Sequence, residues 1–383
     1  MRRHLRIALV LETSGGGSGR HVLDLARGLV GDGHDVSVIW SPGRARPEFV
    51  SQLQSIAGIT DIPVAMQRSV GPNDLVSARM LAAQVQSRAP FDIVHGHSSK
   101  AGALVRLMPR DIPGARIYTP HAFRTMDPGL RPPMRQVYAT IERMLSERAA
   151  RIITVSRAEY DHALSIGISP RRLTTVVNGV ALPPDATRQA ARDMMGLGPG
   201  DVAVGFLGRL ETQKDPLRFV RAVNHAARIA PAVKGVVIGD GPLRAAAEDM
   251  ADAGAVRFMG WQDGPRLMPG LDVYCMTSGY EAMPYTLIEA LHAQVPIVAT
   301  AVGGTHETVV ENRNGHVVPL ECAADMIGDR LAALANDTAR RQAFGAASGH
   351  LAASCTLETM VNRTVRVYQR ALAAETPALA KVS

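Results

Sequence analysis

Cysteine is scarce in this chain. Cys275, Cys322 and Cys355 are the only three among 383 residues. They are too few and too scattered for a disulfide framework or a thiolate zinc site, and they point to a reducing, cytoplasmic setting. Long apolar runs are missing as well: no stretch approaches the roughly 18 uninterrupted apolar residues of a membrane-spanning helix. The opening Met1-Arg-Arg-His-Leu-Arg-Ile-Ala-Leu-Val-Leu11 is apolar only from Ile7 to Leu11 before Glu12 ends it. That run is shorter than the about 7–15 residues of a secretory signal core, so a buried strand is expected. Aromatic residues make up 4% of the chain, without a stacking motif, which argues against nucleic-acid binding. Lysine occurs only four times, and no Asp-x-Asp pair occurs at all.

What is present fits an ordinary globular protein with substantial cores: 46% hydrophobic and 20% charged residues. The length gives two domains as the natural expectation. The net charge of +7 is uneven. Residues 1–184 carry 23 Lys and Arg against 14 acidic residues, while residues 185–383 carry 19 against 21. A basic N-terminal half suits an anionic partner such as a lipid surface, although a solvated basic face explains it equally well.

Short apolar runs alternate with amphipathic segments. Arg6–Leu11, Val36–Trp40, Ile93–His95, Ile117–Thr119, Ile152–Val155 and Thr174–Val177 read as strands. Helical patterns such as Arg20–Val30 and Met134–Arg148 lie between them. After the Pro-rich Ala181-Leu-Pro-Pro-Asp185 the rhythm restarts, with strands at Ala203–Leu207, Gly235–Ile238, Val256–Met259, Val273–Met276, Ile297–Ala299 and His316–Val318. This is an α/β pattern of two doubly wound, Rossmann-like parallel-sheet domains facing across a cleft. Residues 1–180 form the first domain and 200–355 the second, with a linker near 179–200. The segment 356–383 either caps the second domain or returns to the first. Ligands in such folds sit at the carboxyl ends of strands, so motifs should follow strands.

They do. After the first strand comes Thr13-Ser-Gly-Gly-Gly-Ser-Gly19, whose glycines allow close backbone approach at a helix N-terminus that favours an anion. Arg20 stands where a third fingerprint glycine belongs and no acidic residue closes the second strand, which disfavours a nicotinamide dinucleotide. The second domain's first strand is followed by Gly208-Arg209-Leu-Glu-Thr-Gln-Lys214-Asp215. A guanidinium fork and a compact ammonium there suit a pyrophosphate. The strand Val273–Met276 runs into Thr277-Ser-Gly-Tyr-Glu281-Ala-Met283-Pro284-Tyr285-Thr-Leu-Ile-Glu289-Ala-Leu-His292. Glu281 precedes a helix and can accept from sugar hydroxyls. Glu289, on the helix among Leu287, Ile288, Ala290 and Leu291, can accept from both ribose hydroxyls. A helix-capping carboxylate and a surface charge are the plainer alternatives.

Together these motifs resemble the retaining glycosyltransferases of family 4, which have the GT-B fold and a Glu-x7-Glu signature matched by Glu281 and Glu289. Gly33-His34-Asp-Val36, Val177-Asn-Gly-Val180, Gly303-Gly-Thr-His-Glu307 and Asn314-Gly315 fit the same pattern. Asp92-Ile-Val-His-Gly-His-Ser-Ser-Lys-Ala-Gly102 and Tyr118-Thr-Pro-His121 resemble members that build bacterial capsular and exopolysaccharides. The resemblance implies that Gly208, Arg209 and Lys214 hold the donor diphosphate, and that Glu289 binds ribose. It implies that Glu281 and the loop through Met283, Pro284 and Tyr285 bind the sugar. His121 would contact the transferred sugar near the reacting carbon, which with Glu281 makes the expected catalytic pair. Gly16 and Gly17 would lie close to donor phosphate or acceptor. Ala282, Asp215 and Ala181 depart from the usual family pattern.

The expected reaction is transfer of a hexose-type sugar from a nucleoside-diphosphate sugar to a glycan or lipid-linked acceptor, with retention, no cofactor and no metal. It would serve cell-surface polysaccharide synthesis from the cytoplasm, with possible peripheral attachment to the membrane's inner face. The motivation for attachment is the basic first half and the segment Phe123–Arg135, which mixes basic and apolar residues. A GT-B-like nucleotide-sugar 2-epimerase and a non-catalytic nucleotide-sugar-binding protein are the alternatives. The base, sugar, acceptor and linkage stay open.

Overall fold

The computed structural model describes residues 3–66, 73–88 and 90–379. Met1, at the start of the expected first domain, and Lys381–Ser383, at the end of the expected C-terminal segment, lie outside them. The chain divides into two compact units, one of residues 1–178 and 357–383, the other of residues 179–356.

The first unit contains strands β1 (Arg6–Leu11), β2 (Asp35–Trp40), β3 (Ile59–Pro63), β4 (Ile93–His97), β5 (Ala115–Thr119), β6 (Arg151–Thr154) and β7 (Leu173–Thr175). Its helices are α1 (Gly17–Gly31), α2 (Pro47–Gln54), α3 (Asn73–Ser87), α4 (Ser98–Leu107), α5 (Pro132–Ser146) and α6 (Arg157–Ser165). The strands are parallel, in the order β3-β2-β1-β4-β5-β6-β7. Both faces of β1 are buried, in different cores. Ile7, Leu9 and Leu11 pack with residues of α1 and α2, and Ala8 and Val10 with residues of α3 and α4. An unbroken apolar strand rather than an alternating one is what such a doubly covered sheet requires.

The second unit opens with α7 (Arg188–Met195). Its strands are β8 (Val202–Leu207), β9 (Val233–Ile238), β10 (Val256–Gly260), β11 (Val273–Met276), β12 (Ile297–Thr300) and β13 (Gly315–Val318). Helices α8 (Pro216–Ile229), α9 (Arg244–Met250), α10 (Gly264–Leu267), α11 (Tyr285–His292), α12 (Thr305–Thr308), α13 (Ala324–Asn336) and α14 (Thr338–Ala352) complete it. The parallel order is β10-β9-β8-β11-β12-β13. Val204 and Phe206 point into one core with Phe219 and Val223 of α8, and Ala203 and Leu207 into the other with Ala191 and Met195 of α7. In each sheet the strand order reverses beside the first strand, between β1 and β4 and between β8 and β11, and ligands bind at such points in open α/β sheets.

The final helix, α15 (Leu357–Leu379), belongs to the first unit. Met360, Val361, Val365, Tyr368 and Ala371 enter the core beneath α1. Gly28 lets the two helices approach, since a Cβ there would lie 2.3 Å from Val361.

The expected linker near 179–200 is not bare: Thr187 caps α7 by accepting from the Ala190 N–H at 3.3 Å. Strand β3 is not apparent in the sequence because Thr60, Asp61 and Pro63 interrupt its apolar pattern. The segment Phe123–Arg135 is a short 3-10 turn (Arg124–Met126) leading into α5.

Candidate active site

In the second unit, the loops after β8 and β11 are stitched together. Thr277 donates its hydroxyl to the carbonyls of Lys214 and Asp215, at 3.0 and 2.8 Å. The Gly279 N–H donates to the Gln213 carbonyl at 2.8 Å, and Gln213 Nε2 donates to the Tyr280 carbonyl at 3.0 Å. Asp215 closes the first loop at φ 48°, its carboxylate capping α8 through the Arg218 N–H. The stitching brings Lys214 Nζ to 2.5 Å from Glu281 Oε1, with both side chains largely shielded from solvent. Gly208, directly after β8, underlies the aliphatic stem of Lys214. Arg209 is more exposed and pairs with Glu211 at 2.9 Å.

Glu281 is fixed from below by the turn after β12. Gly303 stands at φ +48°, and a Cβ there would lie 2.2 Å from the Glu281 carbonyl oxygen. The Gly304 N–H donates to the Ala282 carbonyl at 2.7 Å. Met283 and Pro284 are buried, and Tyr285 begins α11 half-buried. Pro284, the N-cap of α11, makes no side-chain hydrogen bond to the first turn, and α11 follows directly on the loop that carries Glu281. Glu289 is 4% exposed, among buried Leu287, Ile288, Ala290 and Leu291. A helical surface charge would not be so placed, and a carboxylate buried there must be matched by polar partners. Every expected residue of this unit thus lies on the segments that follow β8 and β11, with Glu289 on the second turn of α11.

In the first unit, the Gly-rich loop follows β1. Glu12 takes Arg44 Nη1 at 2.9 Å and Ser14 Oγ accepts from the Arg46 N–H at 2.8 Å. Gly16, at φ 73°, and Gly17, at the start of α1, are exposed. Around the carboxyl ends of β4 and β5 lies a group of histidines. His95 and His97 share one face of β4 because side chains on a strand repeat every second residue. His95 is pinned on both ring nitrogens, Nδ1 by the Tyr368 hydroxyl at 2.7 Å and Nε2 by Thr119 Oγ1 at 2.8 Å. His97 Nδ1 lies 3.2 Å from His121 Nε2. His21 Nδ1, on α1, donates to Asn178 Oδ1 at 3.1 Å.

His121 and Ala122 both have positive φ, 54° and 80°. Buried Glu159 holds them there, accepting the Ala122 N–H and the Val155 N–H, each at 2.7 Å. Burial pushes the Glu159 carboxyl up to about 7, against the pull of these two bonds. Burial pushes His21 down to about 4 and His97 and His121 well below the usual imidazole range, with neighbouring histidines adding to the effect at the latter two. All three are neutral at pH 7. Sequence reasoning identifies His121 but not the roles of His21, Asn178 and Glu159. The His-x-His spacing at 95 and 97 is the one legible signal of a shared face.

The chain matches two family models, Glycosyltransferase Family 4 over residues 15–182 and Glycosyl transferases group 1 over residues 201–337. An Escherichia coli UDP-Gal:alpha-D-GlcNAc-diphosphoundecaprenol alpha-1,3-galactosyltransferase is 26% identical over 245 residues, 60% of this chain and 63% of that one. A Jonesia denitrificans D-inositol 3-phosphate glycosyltransferase is 26% identical over 390 residues, 93% of this chain and 91% of that one. Among solved structures, Anabaena HepE in complex with UDP superimposes with a TM-score of 0.77 at 20% identity, covering 95% of this chain and all of that one. Sucrose-phosphate synthase from Thermosynechococcus elongatus gives 0.80 at 17% identity, with 96% and 100% covered. These structures share the fold. From its family matches, the chain belongs to glycosyltransferase family 4 and is a GT-B-type glycosyltransferase that uses a nucleotide sugar.

Proposed function

We propose that the protein moves a hexose-type sugar from a nucleoside-diphosphate sugar to a glycan or lipid-linked acceptor, with retention at the anomeric carbon and no metal, in cell-surface polysaccharide assembly. The observation that carries the donor half is the Lys214–Glu281 pair that joins the loops after β8 and β11, with Glu289 buried on the helix α11 that follows. Arg209 and Lys214, with the N-terminus of α11, meet the negative charge that grows on the departing diphosphate, and Gly208 leaves room for it beside the loop after β8. Glu289 accepts from the ribose. Glu281 and the Met283–Tyr285 loop accept and orient the sugar. His121, held neutral, contacts the transferred sugar. Gly16 and Gly17 lie beside donor phosphate or acceptor.

Support for the acceptor class comes from the Escherichia coli relative, whose name specifies a diphosphoundecaprenol-linked acceptor. Among the described residues no helix is long and apolar enough to cross a membrane. Instead α5 presents Met134, Val137 and Met144, exposed by 43, 48 and 67%, at i, i+3 and i+10 along one stripe. Arg131 and Arg143 are exposed on the same helix and its cap. Apolar and basic groups on one surface helix suit peripheral docking at anionic lipid.

The test is turnover by the EDTA-treated full chain, supplied with nucleotide sugars and a lipid-diphosphate glycan acceptor. Release of nucleoside diphosphate should depend on acceptor, and the product should keep the donor's anomeric configuration by NMR. Acceptor-free conversion of the donor to its epimer would overturn the reading.

A further inference from the structure

We propose that His21, His97 and His121 form a binding site for a divalent transition metal of the zinc class. The site is inhibitory: the metal occupies the imidazole that the transfer reaction needs. That consequence rests on the transferase reading above, whereas the binding itself does not.

One ligand atom from each of the three rings lies within 4.8 Å of the others. His97 Nδ1 and His121 Nε2 are already 3.2 Å apart. Two nitrogens bound tetrahedrally to zinc at about 2.0–2.1 Å stand roughly 3.3 Å apart, so this edge of the coordination polyhedron is preformed. Between two neutral imidazoles at that distance a single proton is shared. A cation in its place uses a lone pair from each ring. His21, the third ring, must close in from at most 4.8 Å to complete the set.

The surroundings are those of a built site. Asn178 Oδ1 accepts from His21 Nδ1, which puts the ring proton on Nδ1 and the lone pair on Nε2. Metal-bound histidines are oriented by just such an outer partner. His95, although its ring centroid is 4.0 Å from that of His97, is excluded because Tyr368 and Thr119 occupy both its nitrogens. Imidazole donors without thiolates suit zinc, cobalt and nickel rather than calcium or magnesium. Three protein ligands leave a fourth position for water.

The experiment uses the full chain stripped with EDTA and then equilibrated with zinc or cobalt, without nucleotide sugar. The expected result is one zinc retained per chain, and a tetrahedral visible spectrum for the cobalt form. His97→Ala and His121→Ala should each weaken retention at least about tenfold, and Asn178→Ala about 10–100-fold. His121→Ala keeps the test readable if His97→Ala does not fold. His225, which faces Asp325 and Asp329 on the surface, provides the control, and His225→Ala should retain the metal. Failure of the wild type to retain zinc, retention unchanged in both His97→Ala and His121→Ala, or loss of it in His225→Ala would overturn the proposal. The separate reading of inhibition is relief by EDTA of zinc-suppressed transfer. An inactive apo-protein that still binds zinc would count against the transferase reading and leave the metal site standing.

Discussion

Lys214 Nζ and Glu281 Oε1 are 2.5 Å apart, and they join the loop after β8 to the loop after β11. Neither charge is fully solvated, so removing one leaves the other largely shielded and unpaired. Lys214→Met and Glu281→Gln should each cost about 1–3 kcal/mol. The double variant should cost clearly less than their sum, because the two changes remove one interaction. Urea denaturation of the four proteins checks this. Additive losses would mean that the pair does not form in solution. On the proposed function, the ammonium divides itself between Glu281 and the donor diphosphate.

Gly303→Ala should disturb the site from below. Its backbone has φ +48° and its new Cβ would lie 2.2 Å from the Glu281 carbonyl oxygen. The backbone strain alone costs on the order of 1–3 kcal/mol, and the Glu281 loop must move. Both thermal stability and kcat/KM should fall, with Gly43→Ala, where a Cβ meets nothing within 4 Å, as the comparison. Undiminished turnover in Gly303→Ala would contradict the placement of Glu281.

Acid should destabilise the first unit through its histidines. His21 titrates at about 4 in the fold against an ordinary 6.5. Between those values the unfolded chain binds the extra proton. The stabilisation is therefore complete above pH 6.5 and is lost as pH falls toward 4, by up to about 1.4 kcal/mol per pH unit. The stability difference between wild type and His21→Gln, followed by urea denaturation, should narrow over that window.

Glu159 has the opposite sign. Its folded value of about 7 lies above the ordinary 4.5. Between the two the unfolded chain releases its proton first, so stability falls as pH rises from 4.5 to 7 and is level beyond. The total is of the order of 3 kcal/mol. Because this overlaps the histidine window and opposes it, whole-protein stability profiles will partly conceal both. The difference between wild type and Glu159→Gln isolates the carboxyl. A pH-independent difference would mean that Glu159 ionises normally.

Much of the proposed donor site is legible in the sequence alone. Glu281, Glu289, Arg209 and Lys214 follow strands whose apolar runs are unbroken, and unbroken runs are what two-faced burial leaves in a sequence. The direct pairing of Lys214 with Glu281 is not legible. The residues are 67 positions apart, and only the carboxyl-end geometry of adjacent β8 and β11 brings them together. The first unit hides more. His21 lies within an amphipathic helix, and Glu159 reads as an ordinary first-turn acid after Ser156. Its task of holding the His121–Ala122 backbone spans 37 residues. Strand β3 is obscured because its sheet-edge position tolerates polar residues and a proline.

Membrane docking through α5 predicts that the full chain floats with anionic vesicles and not with neutral ones. Met134→Ser, Val137→Ser and Met144→Ser together should abolish flotation without lowering thermal stability, since these side chains are exposed. Flotation indifferent to lipid charge or to these substitutions would exclude α5 as the docking element.

Nucleotide binding decides whether Lys214, Glu281 and Glu289 form a donor site. In a thermal-shift panel of UDP, GDP and ADP with their sugars, one base should raise the wild-type Tm by mass action. The same ligand should leave Lys214→Ala and Glu289→Ala nearly unshifted. No shift with any nucleotide, or shifts that survive both substitutions, would contradict it.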